Sequence, residues 1–257
     1  MTRKLNKKLA NSVEQISLHS HFITASRVSW SLFALLSIKK TNTDQVIAMP
    51  SFICQSIVAA VILAKWKIKF LDIDYKDGMV DYDGCSNDLE NKVDAILFVH
   101  LLGNQNKIGD LRKLCDKSNI FLIEDSAQFY SNKIYDETDE DLSHVRLISF
   151  GSTKLIDLGE GALILSNDNS LLDEVSFFES QFNFLSQSSV SSSLKNFNKE
   201  FYLIKNSLYK NYDIRIAFQK ILKFYIPAIS MEVNFDHCLV EKVVAGIESI
   251  GSQIELR

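Results

Sequence analysis

A chain of 257 residues and 29.2 kDa, 46% hydrophobic and 23% charged, is long enough for one large domain and too apolar for a disordered tail. The 28 Lys and Arg against 32 Asp and Glu give a formal net charge of −4. No Lys/Arg cluster is longer than the short MTRKLNKK start, so nothing in the sequence predicts a nucleic-acid partner. Cys54, Cys85, Cys115 and Cys238 form no CxxC pair and have no matching His spacing, which argues against structural zinc and a disulfide framework. They read as reduced thiols, and a cytoplasmic location is expected. No apolar run suited to secretion follows the basic start, and the longest apolar run, residues 57–64, is too short to span a bilayer. A soluble protein without a membrane partner is expected.

In chain order, residues 1–23 are expected to form an N-terminal helical segment. Short runs rich in Ile, Val, Leu and Phe then recur at 46–49, 68–73, 95–101, 120–123, 145–150 and 162–165. They are continuous rather than alternating, which predicts strands buried on both faces. Helix-length patterns at 55–65 and 108–117 lie between them. This alternation predicts βαβ units around a mostly parallel sheet. From about Asn167 the β-rich runs stop, and residues 171–226 read as helical, with a serine-rich loop at 186–193 and a stop at Pro227. Residues 238–257 have the periodicity of an amphipathic helix that runs to the last residue, as though the chain were cut short.

The stretch 121–165 carries the chemistry. Ile123-Glu124-Asp125-Ser126-Ala127-Gln128 puts an acidic pair at the C-terminal end of a buried strand, where open α/β sheets bind ligands. Asp125 could equally cap a following helix. Ser149-Phe150-Gly151-Ser152-Thr153-Lys154 follows the next strand, and Gly159-Glu160-Gly161 leads into another. Lys154 is either an amine activated by burial toward a carbonyl or a surface lysine on a loop.

The order of these pieces resembles the sugar aminotransferases of the DegT, DnrJ, EryC1 and StrS family, pyridoxal-phosphate enzymes of fold type I. Val46-Ile47-Ala48-Met49-Pro50, Phe70-Leu71-Asp72-Ile73-Asp74 and Val99-His100-Leu101-Leu102-Gly103 add to the resemblance, which runs from about Thr24 to Asp168. It implies a fold type I α/β large domain at 24–168 with helices on a mostly parallel sheet. Residues 169–257 would complete that domain and begin a truncated C-terminal part, the family's small C-terminal domain being absent.

The resemblance also implies roles. Lys154 matches the lysine that carries pyridoxal phosphate, which the family's dehydratase branch replaces with histidine. Asp125 matches the partner of the pyridine nitrogen, Gln128 a residue near the ring hydroxyl, and Ser149 a phosphate-binding serine. Thr24-Ala25-Ser26 sits at a turn that opens a helix, which makes Ala25 and Ser26 phosphate candidates. Ser26 could also be a plain N-cap, and Ala25 replaces the family's glycine. Phe52 and Cys54 lie where a ring-stacking aromatic is found, with Cys54 at the aligned position. Asn234 resembles the asparagine that reaches a partner subunit's phosphate site. Glu160 and His100 are the substrate-side candidates, although Ala162 replaces a glycine of the family's Gly-Glu-Gly-Gly loop and His100 could be a satisfied core histidine.

The implied function is transfer of an amino group from a donor such as glutamate to a keto group of a nucleotide-linked sugar, by a homodimer, in surface polysaccharide or amino-sugar biosynthesis. Two alternatives are a pyridoxal-phosphate-dependent sugar dehydratase or lyase, and a truncated relative that binds cofactor or dimerises without turnover.

Overall fold

The computed structural model describes residues 3–74, 78–82, 84–85, 89–90, 92–103, 108–130, 142–181 and 237–254. Seven strands form one sheet: β1 (His21–Ala25), β2 (Val46–Pro50), β3 (Lys67–Leu71), β4 (Ala95–Val99), β5 (Phe121–Asp125), β6 (Val145–Ser149) and β7 (Ala162–Ser166). Their spatial order is β1-β7-β6-β5-β4-β2-β3. The ladders from β3 through β2, β4 and β5 to β6 are parallel, and β7 runs antiparallel to both β6 and β1. The mostly parallel sheet is therefore present. β6 and β7 are buried along their whole length and β4 and β5 nearly so, as continuous apolar runs require.

Side chains alternate between the two faces because the strand period is two. One face carries Ile47, Leu97, Ile123, Leu147 and Ile164 against α2 (Val28–Ile38), α3 (Gln55–Leu63) and α5 (Asn169–Ser180). On the opposite face, Ile96, Phe98 and Leu122 pack with Leu111 and Cys115 of α4 (Gly109–Ser118). Ile148, Leu163 and Leu165 pack there with Leu9 and Val13 of α1 (Arg3–Val13) and Val243 and Ile247 of α6 (His237–Ile254). The result is a three-layer α/β/α arrangement. α2 is buried around most of its circumference, including Trp30, Leu32, Ala34, Leu35 and Leu36, because it is enclosed by α3, α5 and the sheet.

The first 23 residues are not all helical: α1 ends at Val13, and His21–Ala25 pairs with β7 as an edge strand. The run at 95–101 stops as a strand at Val99, and Leu101–Gly103 forms a short 3₁₀ turn with Leu102 in the left-handed region (φ 55°). The serine-rich segment 186–193, Pro227 and Asn234 lie outside the described residues. Among the described residues, no helix is long and apolar enough to cross a membrane.

Candidate active site at the C-terminal sheet edge

Because β1 runs the same way as β6, the ends of β1, β2, β4, β5 and β6 and the start of β7 meet at one edge. Arg27, Cys54, His100, Asp125, Ser149 and Gly161 all follow from that arrangement. Two cavities lie there, of about 260 and 330 Å³. Cys54, Asp125, Ala127 and Lys154 line both, so the two adjoin around an amine and a carboxylate. The larger lies at the lower end of the ~300–1,000 Å³ typical of small-molecule sites, with the other beside it.

Asp125 is 5% exposed. No helix follows β5 directly, so the helix-cap reading does not hold; Asp125 Oδ1 accepts from the Ala127 backbone N–H at 2.9 Å in a local turn. Burial pushes its carboxyl pKa up, with neighbouring Glu124 adding to the rise, opposed by the Ala127 N–H and by electrostatic interaction with Lys154 and His100. A carboxylate held at such a desolvation cost, open to a cavity, is suited to a cationic partner.

Lys154 is half-buried on the loop after β6. Thr153 before it has φ 70°, a left-handed conformation that a β-branched residue rarely adopts, at a cost of about 1–3 kcal/mol. Asp157 holds this loop, accepting from Thr153 N–H through Oδ2 and from Gly159 N–H through Oδ1, each at 2.9 Å. Leu158 N–H donates to the Phe150 carbonyl at 2.9 Å. Ile156, 5% exposed, anchors the loop in the core. Asp157 is a supporting residue that the sequence reading missed; its place between Lys154 and Gly159 was the available signal.

Behind Asp125 lies a buried polar network. Glu124 is fully buried, and its Oε1 accepts from His100 Nε2 and Ser126 Oγ, both at 2.9 Å. Its Oε2 accepts from Ser143 Oγ at 2.9 Å. Arg146, also fully buried, approaches Glu124 Oε1 at 3.2 Å through Nε, which donates to Ser126 Oγ at 2.8 Å. Arg146 was legible only as a charge interrupting the apolar run of β6.

The other expected residues distribute as follows. Gln128 lines the smaller cavity and fixes the adjoining turn, its Oε1 accepting from Leu102 N–H at 2.7 Å. Phe52, 60% exposed, lines the smaller cavity, and Cys54 is the N-cap of α3. Ser149 lines the larger one, with Oγ accepting from Gly151 N–H at 3.2 Å. His100 borders the smaller cavity, yet its ring is fully buried between Phe98 and Phe129 and bonded to Glu124, so it bears on the site through Asp125 rather than on a substrate. Glu160 lines neither cavity; its neighbour Gly161 does. Ala25 and Ser26 also line neither, because α2 begins at Val28 with Arg27 as N-cap, and Arg27, Val28 and Ser29 form that wall.

A larger cavity, of about 690 Å³, lies at the opposite ends of the strands. Its charged groups have structural partners: Arg112 Nε pairs with Asp116 Oδ1 at 2.9 Å, Asp94 accepts from Val46 N–H, and Asp168 caps α5.

The model of the DegT/DnrJ/EryC1/StrS aminotransferase family matches residues 2–196. The chain belongs to this family. It is 27% identical over 155 residues to GDP-perosamine synthase of Vibrio cholerae, covering 60% of this chain and 42% of that protein. It is also 27% identical over 104 residues to GDP-4-keto-6-deoxy-D-mannose 3-dehydratase of Yersinia pseudotuberculosis, covering 40% and 26%. The solved structure of Helicobacter pylori PseC, an aminotransferase involved in the biosynthesis of pseudoaminic acid, matches with a TM-score of 0.59 at 17% identity, over 71% of this chain and 50% of that one. The architecture is that of fold type I enzymes. The chain spans about half of that structure and 42% and 26% of these two curated relatives.

Proposed function

We propose that this chain carries the cofactor-binding domain of a pyridoxal-phosphate-dependent aminotransferase that moves an amino group from a donor such as glutamate to a keto group of a nucleotide-linked sugar. The observation that carries the reading is the convergence of Lys154 and buried Asp125 on the walls of two adjoining cavities at the sheet's ligand edge. The residues fit the cofactor: an amine for its carbonyl, a desolvated carboxylate for its pyridine nitrogen, and small residues, Ala127, Gly151 and Gly161, where a flat ring and phosphate need room. When bound, pyridoxal phosphate supplies the electron sink that stabilises the charge left at the donor's α-carbon.

Lys154 Nζ would hold the cofactor through its carbonyl carbon, and as a free amine it would be placed to take the proton from the donor's α-carbon. Asp125 would keep the cofactor's pyridine nitrogen protonated, and the Glu124–His100 pair behind it fixes the end of β5. Gln128, Cys54 and Phe52, which line the smaller cavity, would flank the ring, and Ser149, which lines the larger, would contribute to the phosphate side. Residues 24–168 with the elements that pack on them make up this domain. A homodimer, to which Asn234 would contribute across the interface, a cytoplasmic location and a role in polysaccharide or amino-sugar biosynthesis belong to the same proposal. The lysine at position 154 favours it over the dehydratase alternative.

The test is the absorbance spectrum of the purified chain with pyridoxal phosphate. Wild type should give the visible band of lysine-bound cofactor, Lys154→Ala should lack it, and glutamate should bleach it. A folded wild type without the band would sink the reading.

A further inference from the structure

We propose that Arg27 supplies the positive charge that holds the cofactor's phosphate, a role resting on the cofactor reading above. Arg27 sits in the N-cap position of α2 with extended backbone (φ −157°, ψ 151°) and makes no capping bond. It is badly suited to that place. A guanidinium has no acceptor for the free N–H groups of a helix start, and its charge opposes the positive end of the helix dipole.

Its surroundings leave the charge unanswered. Arg27 Nε is buried without a hydrogen-bond partner, and no ion pair to the guanidinium forms among the described residues. The charged residues lining the larger cavity are Arg27, Lys154 and Asp125, and Lys154 lowers the pKa of Asp125, so those two answer each other while Arg27 remains. Arg27 is half-buried, and its buried Nε is a donor left without an acceptor, a cost that a bound anion would remove.

One anion in this cavity would answer both Arg27 and the free N–H groups at the start of α2. It would accept from the guanidinium, whose planar fork matches phosphate oxygens, and from the first-turn N–H groups of α2, and it would meet Ser149 and Ser152 across the cavity. Where the family resemblance puts the phosphate turn at Ala25 and Ser26, this chain builds that wall with Arg27, Val28 and Ser29. The geometry thus trades close backbone approach for a side-chain charge.

The experiment measures dissociation constants of pyridoxal phosphate, of pyridoxal without the phosphate, and of inorganic phosphate, for wild type, Arg27→Gln and Arg27→Lys. Losing a charge-assisted bond should weaken pyridoxal phosphate and inorganic phosphate by about 10- to 100-fold in Arg27→Gln, with Arg27→Lys between, while pyridoxal binds all three alike. Apo Arg27→Gln should unfold no earlier than wild type. Equal weakening of pyridoxal and pyridoxal phosphate would mean a structural role and overturn the proposal. Unchanged phosphate binding with a raised KM for glutamate would assign Arg27 to the donor's carboxylate and overturn it too. In both cases a Lys154-dependent visible band would leave the cofactor reading standing. Conversely, Arg27-dependent binding of inorganic phosphate without any Lys154-dependent band would uphold the anion site while the cofactor reading fails.

Discussion

Gly246 of α6 lies against the loop that carries Lys154, and replacing it with alanine tests whether that contact sets the loop. A Cβ at position 246 would stand 2.7 Å from Ile156 Cγ2, 3.0 Å from Cγ1 and 3.1 Å from Cδ1. These are not the yielding ends of a long side chain: Ile156 is β-branched, 5% exposed and packed in one cluster with Tyr130, Phe150, Val243 and Ile247. In an unencumbered helix, Gly→Ala would stabilise by about 1 kcal/mol. Overpacking a filled core costs about 1–3 kcal/mol. The net expectation is a loss of about 0–2 kcal/mol, read by urea denaturation. Cofactor affinity should fall with it, since Ile156 is the buried anchor of the Lys154 loop. Ile156→Ala alone should cost about 2–5 kcal/mol. In the double variant the added methyl occupies space the isoleucine vacated, so the losses should be non-additive, with a coupling of about 0.5–3 kcal/mol. If Gly246→Ala stabilises by the full propensity gain and the two changes add, α6 does not abut the lysine loop and the reasoning fails.

Asp125→Asn should stabilise the apoprotein at neutral pH by about 0.5–2 kcal/mol, as relief of a site built for function does, while leaving the Lys154-dependent cofactor band in place and slowing its bleaching by glutamate. The sign follows from burial raising the native carboxyl pKa: the native state binds the proton more tightly than the unfolded chain, so the penalty is full above the native pKa and disappears as pH falls below the unfolded one. Denaturation curves at neutral and mildly acidic pH should therefore converge for the two proteins, and a less stable Asn variant at neutral pH would contradict this. Arg146→Met removes the fully buried cation beside Glu124, which keeps its bonds from His100, Ser126 and Ser143, and should cost about 3–5 kcal/mol. Adding Glu124→Gln should recover part of that loss in the same denaturation assay, and no recovery would argue against the pair.

The six β-rich runs were legible because central strands covered on both faces must be apolar throughout, and each run is found as a strand with ends shifted by a few residues. β1 was not, because an edge strand of the pattern His-Phe-Ile-Thr-Ala is half-exposed and flanked by serine and arginine, with no run to mark it. Asp125, Ser149 and Lys154 were legible because each closes or follows a strand. Arg27 was not, because an arginine beside a helix start carries no local signal; only the cavity and the missing partner reveal it. His100 shows the opposite failure: its position beside the ligand edge was readable, but its pairing with Glu124 depends on β4 and β5 being neighbours.

Locally unfavourable choices gather at this one edge. Thr153 is left-handed, Arg27 opposes a helix dipole, and Asp125 is desolvated. They are distant in sequence, so no single strained segment accounts for them, and they share a cavity boundary or a loop on it. In a protein whose whole stability is of order 5–15 kcal/mol, several costs of about 1 kcal/mol or more cannot accumulate at random. A ligand at a hundred times its Kd returns about 2.7 kcal/mol to the native state, enough to offset one or two of them. The remainder must be carried by the fully buried strands behind the edge, which makes the sheet core the condition for a strained site and not merely its scaffold.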